Sequence, residues 1–462
     1  MTDELNVAEQ VVTKIEPGSG WRRYEEYKDT GITWLGHIPG HWTEKKLKWE
    51  SPVYRGASPR PIDDPKYFDD DGEFSWVRIA DVTAAGMYLD RTTQKLSELG
   101  ASLSVKMSPG EMFLSIAGSV GKPCITNIQC CIHDGFVYFP RLKADRHYLY
   151  YIFASGEPYR GLGKLGTQLN LNTDIVGDMV LPFPPLNEQR QIAAFLDRET
   201  AKIDELVAKK RRLIELLKEK RTALISQAVT KGLDASTEMK DSGVAWLGKV
   251  PTTWDVLSLR YVTKVQTGLT LGKKYKASQQ LESHPYLRVA NVQDGYLDLK
   301  EITEVDIPTE DAPRYLLQSG DVLMTEGGDF DKLGRGYVWE GQVPGCLHQN
   351  HIFAVRPMAD RLHPEFLASL LTSYHGKTYF TSTSSQTTNL ATTNSTKLKE
   401  FPVLVPPQQE QRNILDFVRQ QAIVHEALER TSEKAIGCLQ EYRSALISAA
   451  VTGKIDVREA TE

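Results

Sequence analysis

Between Pro185 and Gly232 the chain contains neither Gly nor Pro, and Leu196, Ile203, Leu206, Val207, Leu213, Ile214, Leu217 and Leu224 recur at intervals of 3, 4 and 7. Apolar positions at that spacing line one stripe of an α-helix. A single amphipathic helix is predicted, about 40 residues long and on the order of 60 Å at roughly 1.5 Å per residue. A second such run extends from Pro407 to Gly453, interrupted once by Gly437. Pro at each start suits a first turn, where the backbone amide needs no partner. Elsewhere the pattern is short and β-rich: "FSWVRIADV", "EMFLSIAG" and "GFVYFP", then "YLRVANV", "GDVLMTEG" and "HIFAVRP", separated by turns such as "DDDG", "SPG" and "QDG". One helix is predicted near 147–155 and another near 364–373, so the fold class is α+β.

These elements occur twice in the same order. "PPLNEQR" from Pro184 returns as "PPQQEQR" from Pro406, and "RTALISQAVTKGLD" from Arg221 returns as "RSALISAAVTGKID" from Arg443, both at an offset of 222. "KDTGITWLGHIPGHW" from Lys28 returns as "KDSGVAWLGKVPTTW" from Lys240 at 212, and "CIHDGFVYF" from Cys131 answers "CLHQNHIFA" from Cys346 at 215. The globules have taken insertions while the helices have not, as expected if loops vary and a helix sets a distance. The predicted organisation is an N-terminal extension over 1–27, a globule over 28–184, a helical region over 185–235, a second globule over 236–406 and a second helical region over 407–457. A wide apolar stripe on so long a helix needs a partner. The two duplicated helices can satisfy each other as an antiparallel coiled coil about a pseudo-two-fold axis; alternatively, each folds back on its own globule.

Composition narrows the function classes. The 462 residues are 40% hydrophobic and 25% charged, typical of a globular chain with several domains. There is no apolar run long enough to span a membrane, and the start "MTDELNVAEQ" is acidic where a signal peptide is basic and then apolar, so a cytoplasmic protein without membrane contact is expected. Five cysteines without a C-x-x-C pair indicate reduced thiols. Net charge is −5 and the pI about 6.1, which implies weak DNA affinity for the chain by itself.

Catalytic motifs are lacking. "GLGKLG" from Gly161 has the letters of a dinucleotide loop but follows a helix instead of a strand. "AGSVGKP" lacks the first Gly of a phosphate loop, with Ile116 at that place, and has Pro123 where magnesium-binding Ser or Thr belongs. Cys131-x-His133 and Cys346-x-His348 are matched between copies but lack further ligands for a metal. The Pro-Pro pairs are followed by Leu186 and Gln408, not by the aromatic residue of an amino-group DNA methyltransferase. Two diverged globules held apart by helices of constant length suit a target with two different half-sites at a fixed gap.

The paired "PPxxEQR" starts, the helices ending "ALISxAVT", the "WLGxxPxxW" openings and the alternation of variable and constant regions resemble the specificity subunit of type I restriction-modification systems, over about residues 28–457. The resemblance implies two target recognition domains of mixed α/β character, each reading one part of an asymmetric bipartite site in double-stranded DNA. The helices would serve as ruler and dock for two modification (methyltransferase) subunits, which restriction/translocase subunits would join. It implies a non-catalytic chain without cofactor, with S-adenosylmethionine, ATP and Mg in the partners. A coiled-coil scaffold or adaptor binding proteins through its globules is the alternative of another class, and an enzyme with a motif-poor site is a third.

Candidate DNA contacts are matched polar positions beside turns: Arg78 and Arg288 with Asp81 and Asn291, Ser119 and Lys122 in "AGSVGK", and Lys332 and Arg335 in "EGGDFDKLGRG". Gln168, Asn170 and Asn172, with Gln386 and Asn389, are amides of the kind that read adenine. Pinning the domain's own loops is the competing role for Arg78, Arg288, Asp81 and Asn291, and exposed strand edges are the competing reading of the amides. Helix pairing is assigned to Leu196, Ile203, Leu206, Leu213, Leu217 and Leu224. "KKRR" from Lys209 is the densest basic cluster, within a segment, 185–232, that carries eleven Lys and Arg against seven Asp and Glu. It suits DNA phosphate, an acidic partner surface or plain solvation.

Overall fold

The structure, a computed structural model, describes residues 21–160, 162, 171–293, 296–328, 336–386 and 391–459; the side chains of 328, 385, 386 and 391 are not described. The predicted helices are continuous. The first long helix runs Leu186–Lys231 and the second Gln408–Val451, passing through Gly437 without a break. Each ends at a glycine in the left-handed region, Gly232 (φ 78°) and Gly453 (φ 71°), the backbone state that stops a helix at little cost only for Gly. The chain divides into two compact units, one of residues 1–211 with 433–462 and the other of 212–432. Each unit thus contains one globule and half of each long helix.

In the first unit a five-stranded sheet has the order Tyr54–Arg55, Phe136–Tyr138, Met112–Ser115, Pro123–Thr126, Tyr88–Leu89. A four-stranded sheet has the order Gln94–Leu96, Phe74–Val77, Cys130–Ile132, Val105–Met107. The predicted strand "FSWVRIADV" ends at Val77, and Ile79–Ala84 is helical. Strand Thr43–Lys46 pairs antiparallel with Val180–Phe183, so the globule closes where the long helix begins. Leu114, Val137, Tyr148, Ile152 and Leu181 share a core with Ile192 and Leu196 of the first long helix and with Leu446, Ile447, Ala450, Ile455 and Val457. Tyr24 of the N-terminal extension is in that core, and Arg22 forms a bridge with Asp456, so residues 21–27 are part of this unit.

The second unit repeats the plan. Its four-stranded sheet has the order Thr263–Thr267, Ile352–Pro357, Asp321–Thr325, Gly336–Trp339, and strand Asp255–Ser258 closes on Pro402–Val405 as its counterpart does. Val322, Phe353, Phe366, Leu370, Leu404 and Ile414 share a core with Ala228 and Val229, near the end of the first long helix. Gly56 and Gly268 are matched crossings, since a Cβ on either would lie 2.2 Å from the carbonyl oxygen of His133 or His348 respectively.

The echoed motifs are anchors. Gln189 accepts from Asp145 N (2.8 Å) and donates to Pro184 O (2.8 Å). Gln411 accepts from His363 N (2.8 Å) and donates to Arg361 O (2.8 Å) and Pro406 O (2.9 Å). In each unit this Gln ties the start of a long helix to the start of a shorter one, Arg146–Ala154 or Pro364–Thr372. Buried Glu188 meets Tyr24 Oη (2.7 Å), Trp42 Nε1 (3.0 Å) and His41 Nε2 (2.8 Å). Burial, then the neighbouring Glu188, raises the Tyr24 phenol far above its ordinary value. In the second unit the matched Trp254 Nε1 is buried without a hydrogen-bond partner among the described residues.

The helices also meet inside each unit. In the first, Arg443 Nε and Nη2 donate to Asp204 Oδ1 (2.9 Å) and Oδ2 (3.2 Å). In the second, Arg221 Nη2 lies 3.7 Å from Glu426 Oε1. Leu196, Thr200, Ile203 and Val207, at steps of 4, 3 and 4, are all buried. Leu217 and Leu224 are half-buried. Leu206 and Leu213, expected to pair, are instead 47% and 40% exposed. Each stands one residue away from the 4-3 seam, about 100° round the helix, where the 7-residue spacing is kept but the facing partner is missing.

Candidate nucleic-acid interface

Four of the positions singled out in the first globule, Arg78, Asp81, Ser119 and Lys122, gather around one short helix. Strand Phe74–Val77 delivers Arg78 to the start of helix Ile79–Ala84, where Asp81 Oδ2 accepts from Arg78 N (2.9 Å). The loop after strand Met112–Ser115 turns at Gly118 (φ 63°), whose absent Cβ leaves room for Ile79 at 2.9 Å. Ser119 Oγ lies 2.8 Å from Thr83 Oγ1, and Lys122 Nζ donates to Thr83 O (2.7 Å). Partial burial lowers the Lys122 amine. Arg78 is exposed with no side-chain partner among the described residues. Arg78, Ser119 and Lys122 therefore belong to one patch, in which Arg78 is the uncommitted cation.

The second globule has the same plan with different chemistry. Strand Leu281–Leu287 leads to exposed Arg288 and a turn over Val289–Asn291. Asn291 is 5% exposed, accepts from Arg288 N (2.8 Å) and donates to Asp298 O (2.8 Å) and Glu301 O (3.0 Å). Its amide is used up internally, so the expectation of a DNA contact there is corrected: Asn291 holds its own loop, and Asp81 makes the matching cap. Asn172 is a helix cap too, accepting from Ile175 N (2.8 Å), as Asn394 does from Lys397 N (2.9 Å). Gln168, Asn170, Lys332, Arg335 and Asn389 lie outside the described residues, as does the side chain of Gln386 in strand Ser385–Gln386.

Sequence reasoning missed a cleft of about 570 Å³ beside Arg288, lined by Val289, Glu326, Gly327, His351, Thr392, Thr393 and Asn394. In it His351 Nδ1 lies 2.6 Å from Glu326 Oε2. The available signal was the second His of "HQNH", His351, which "HDG" of the first copy lacks.

The Cys-x-His pairs are core. Burial pushes the Cys131 thiol up to about 11 and the Cys346 thiol up to about 12. His348 is fully buried; its Nδ1 lies 2.9 Å from Ile352 O and its Nε2 3.3 Å from Gln266 Nε2. Among the described residues no cluster of His, Cys, Asp and Glu could hold a metal ion, and no helix is long and apolar enough to cross a membrane. Within "KKRR", Lys209 pairs with Glu205 and Arg212 with Glu215 and Glu219 along the helix, while Arg211 is exposed.

Both copies match the family model of the type I restriction modification DNA specificity domain, over residues 56–216 and 251–436. The chain belongs to that family. It is similar to the type I restriction enzyme EcoKI specificity subunit of Escherichia coli (strain K12), 25% identical over 277 residues, or 60% of this chain and 57% of that one. It is also similar to two proteins of Methanocaldococcus jannaschii. One is the putative MjaX specificity subunit, 28% identical over 170 residues, or 36% of this chain and 39% of that one. The other is the MjaIX specificity subunit, 21% identical over 442 residues, or 94% and 97%. The matched stretches thus span 39% and 57% of the MjaX and EcoKI relatives. Among solved structures, one titled for complex assembly and conformational transition of the type I R-M system aligns with a TM-score of 0.62 at 18% identity, covering 90% of this chain and 98% of that one. The HsdS subunit from Thermoanaerobacter tengcongensis aligns at 0.51 and 16%, with coverage of 90% and 98%. The fold is HsdS-like, with two specificity domains of mixed α/β character and long helices that pair.

Proposed function

We propose that this chain is the DNA-recognition subunit of a type I restriction-modification complex, in which each globule reads one half of an asymmetric bipartite site and the helices set the gap. The observation that carries the reading is the matched pair of ion contacts, Arg443 with Asp204 and Arg221 with Glu426, each within its own unit. Adding 222 to Asp204 and Arg221 gives Glu426 and Arg443, so one contact maps onto the other when the two helices exchange roles. Such an exchange is what antiparallel helices about a pseudo-two-fold axis would give, and it supports this reading. On this reading half-site spacing follows from the constant length of the helices.

Two modification subunits bind the helical regions on this reading, and restriction subunits join them. The methyl donor and nucleotide chemistry belong to those partners. Arg78 and Arg288 are the foremost DNA contacts, with Ser119 and Lys122 at the phosphates of the first half-site. The remaining amides and cations of the set stay in the proposed interface, except the caps Asp81, Asn172 and Asn291. Co-expression with modification subunits and genome-wide mapping of methylated adenines tests the function. A split motif is expected, lost when a globule is deleted and respaced when both helices are lengthened. No motif from a stable complex with active partners would favour the scaffold.

A further inference from the structure

The second globule holds a polar constellation that the first lacks. Glu326 follows strand Asp321–Thr325 and is fixed by its backbone, with its N–H donating to His351 O (2.8 Å) and its carbonyl accepting from Thr393 N (2.8 Å). Its Oε2 is 2.6 Å from His351 Nδ1, and His351 Nε2 is 3.4 Å from Asn350 Nδ2. An amide nitrogen only donates, so with Nε2 accepting from Asn350 the ring N–H is on Nδ1 and donates a hydrogen bond to the Glu326 carboxylate. The relay from Asn350 through His351 orients the carboxylate. Oε1 of Glu326 has no hydrogen-bond partner among the described residues, and the side chain, 31% exposed, lines the cleft. Beside it Thr393 is 3% exposed with an unpartnered Oγ1. In the first globule buried Ile116 occupies the matched place and Gly135 stands where His351 does, with Ile116 N donating to Gly135 O as Glu326 N does to His351 O.

A carboxylate repels DNA phosphates, so in a DNA-facing cleft it cannot serve the backbone. What it can do is accept a hydrogen bond from the exocyclic amino group of a base, which cytosine and adenine present in the major groove. We propose that Glu326, oriented by His351, is a specificity-determining residue that reads an amino-bearing base in the second half-site, with Thr393 Oγ1 as the adjoining polar group. This rests on the chain being a DNA-recognition subunit.

The test uses the full chain assembled with its modification subunits and a duplex library randomised over both half-sites, with bound DNA sequenced at fixed salt. The wild type should select a bipartite motif. Glu326→Gln adds a donor where only an acceptor stood. At one position of the second half-site its preference for cytosine or adenine should fall by roughly tenfold to a hundredfold, with the first half-site unchanged. His351→Asn keeps the carboxylate and should weaken selection at the same position by less. If Glu326→Gln does not assemble, His351→Asn carries the test on the same criterion. Unchanged preference at every position, or a loss spread equally over both half-sites, overturns the assignment of Glu326. A wild type that selects no bipartite motif overturns the proposed function itself, so the two failures are distinguishable.

Discussion

Arg443 and Asp204 are 239 residues apart in the chain and meet through two hydrogen bonds of 2.9 and 3.2 Å. With side chains 33% and 57% exposed, they form a partly solvated pair worth about 0.5 to 1 kcal/mol. A double-mutant cycle on Arg443→Ala and Asp204→Ala, read by chemical denaturation, should give a coupling of that size. The single-contact pair Arg221 and Glu426, at 3.7 Å, should give less. Equal coupling in both pairs would contradict this geometry.

Gln411→Ala should cost about 1 to 3 kcal/mol, because it strands His363 N, Arg361 O and Pro406 O, and Gln189→Ala should behave alike with its two partners. Denaturation midpoints check this. A cost near zero would mean that water replaces the amide without penalty.

Glu188 and Glu410 occupy the same motif position but not the same surroundings. Glu188→Ala leaves Trp42 Nε1 and Tyr24 Oη buried without their acceptor and should destabilise by about 3 kcal/mol. Glu410→Ala has no such bonds to break, since Trp254 Nε1 is already unpartnered among the described residues. Its denaturation midpoint should shift by less than half as much.

Burial pushes the His348 imidazole down to about 4, with Arg356 lowering it slightly and the Ile352 carbonyl and Asp321 working against the shift. The unfolded chain, near 6.5, binds the proton first, so this contribution is intact above pH 6.5 and is lost as pH falls from there toward 4. Up to about 3 kcal/mol is involved. His348→Gln should flatten stability across that window in pH-dependent denaturation; an unchanged slope would assign it to other groups.

Arg78→Ala and Arg288→Ala should each weaken DNA binding by the assembled complex by about 1 to 3 kcal/mol while leaving thermal stability unchanged, since neither guanidinium has a partner among the described residues. Competition binding with one half-site scrambled at a time should assign Arg78 to one half and Arg288 to the other.

The helices were legible because their period is a direct consequence of burying one face, and the duplication was legible because its offset of 222 is free of insertions. The seam was only partly legible. Leu206 and Val207 are adjacent and both apolar, and the choice between them depends on the facing helix, which no local window contains. The end of the strand at Val77 was hidden for a similar reason: "VRIADV" has strand-like alternation, but Asp81 folds back on Arg78 N and starts a helix. At the interface, polar residues beside turns were correctly placed in space, yet residue type could not tell a cap from a free group. Asn291 and Arg288 stand three residues apart; one is spent on its own loop and the other is not. The cleft at Glu326 was invisible because its lining comes from four separated stretches.

The first unit is discontinuous, built from residues up to 211 together with 433–462, whereas the second is the unbroken stretch 212–432. Translation therefore delivers every part of the second unit before Leu446, Ile447, Ala450, Ile455 and Val457, which fill the core of the first. The half of the protein that is synthesised first must wait, with an open apolar face, until the half synthesised later is already complete. When residue 432 has left the ribosome, every part of the second unit is free to pack while 446–457, which complete the first, are still to emerge.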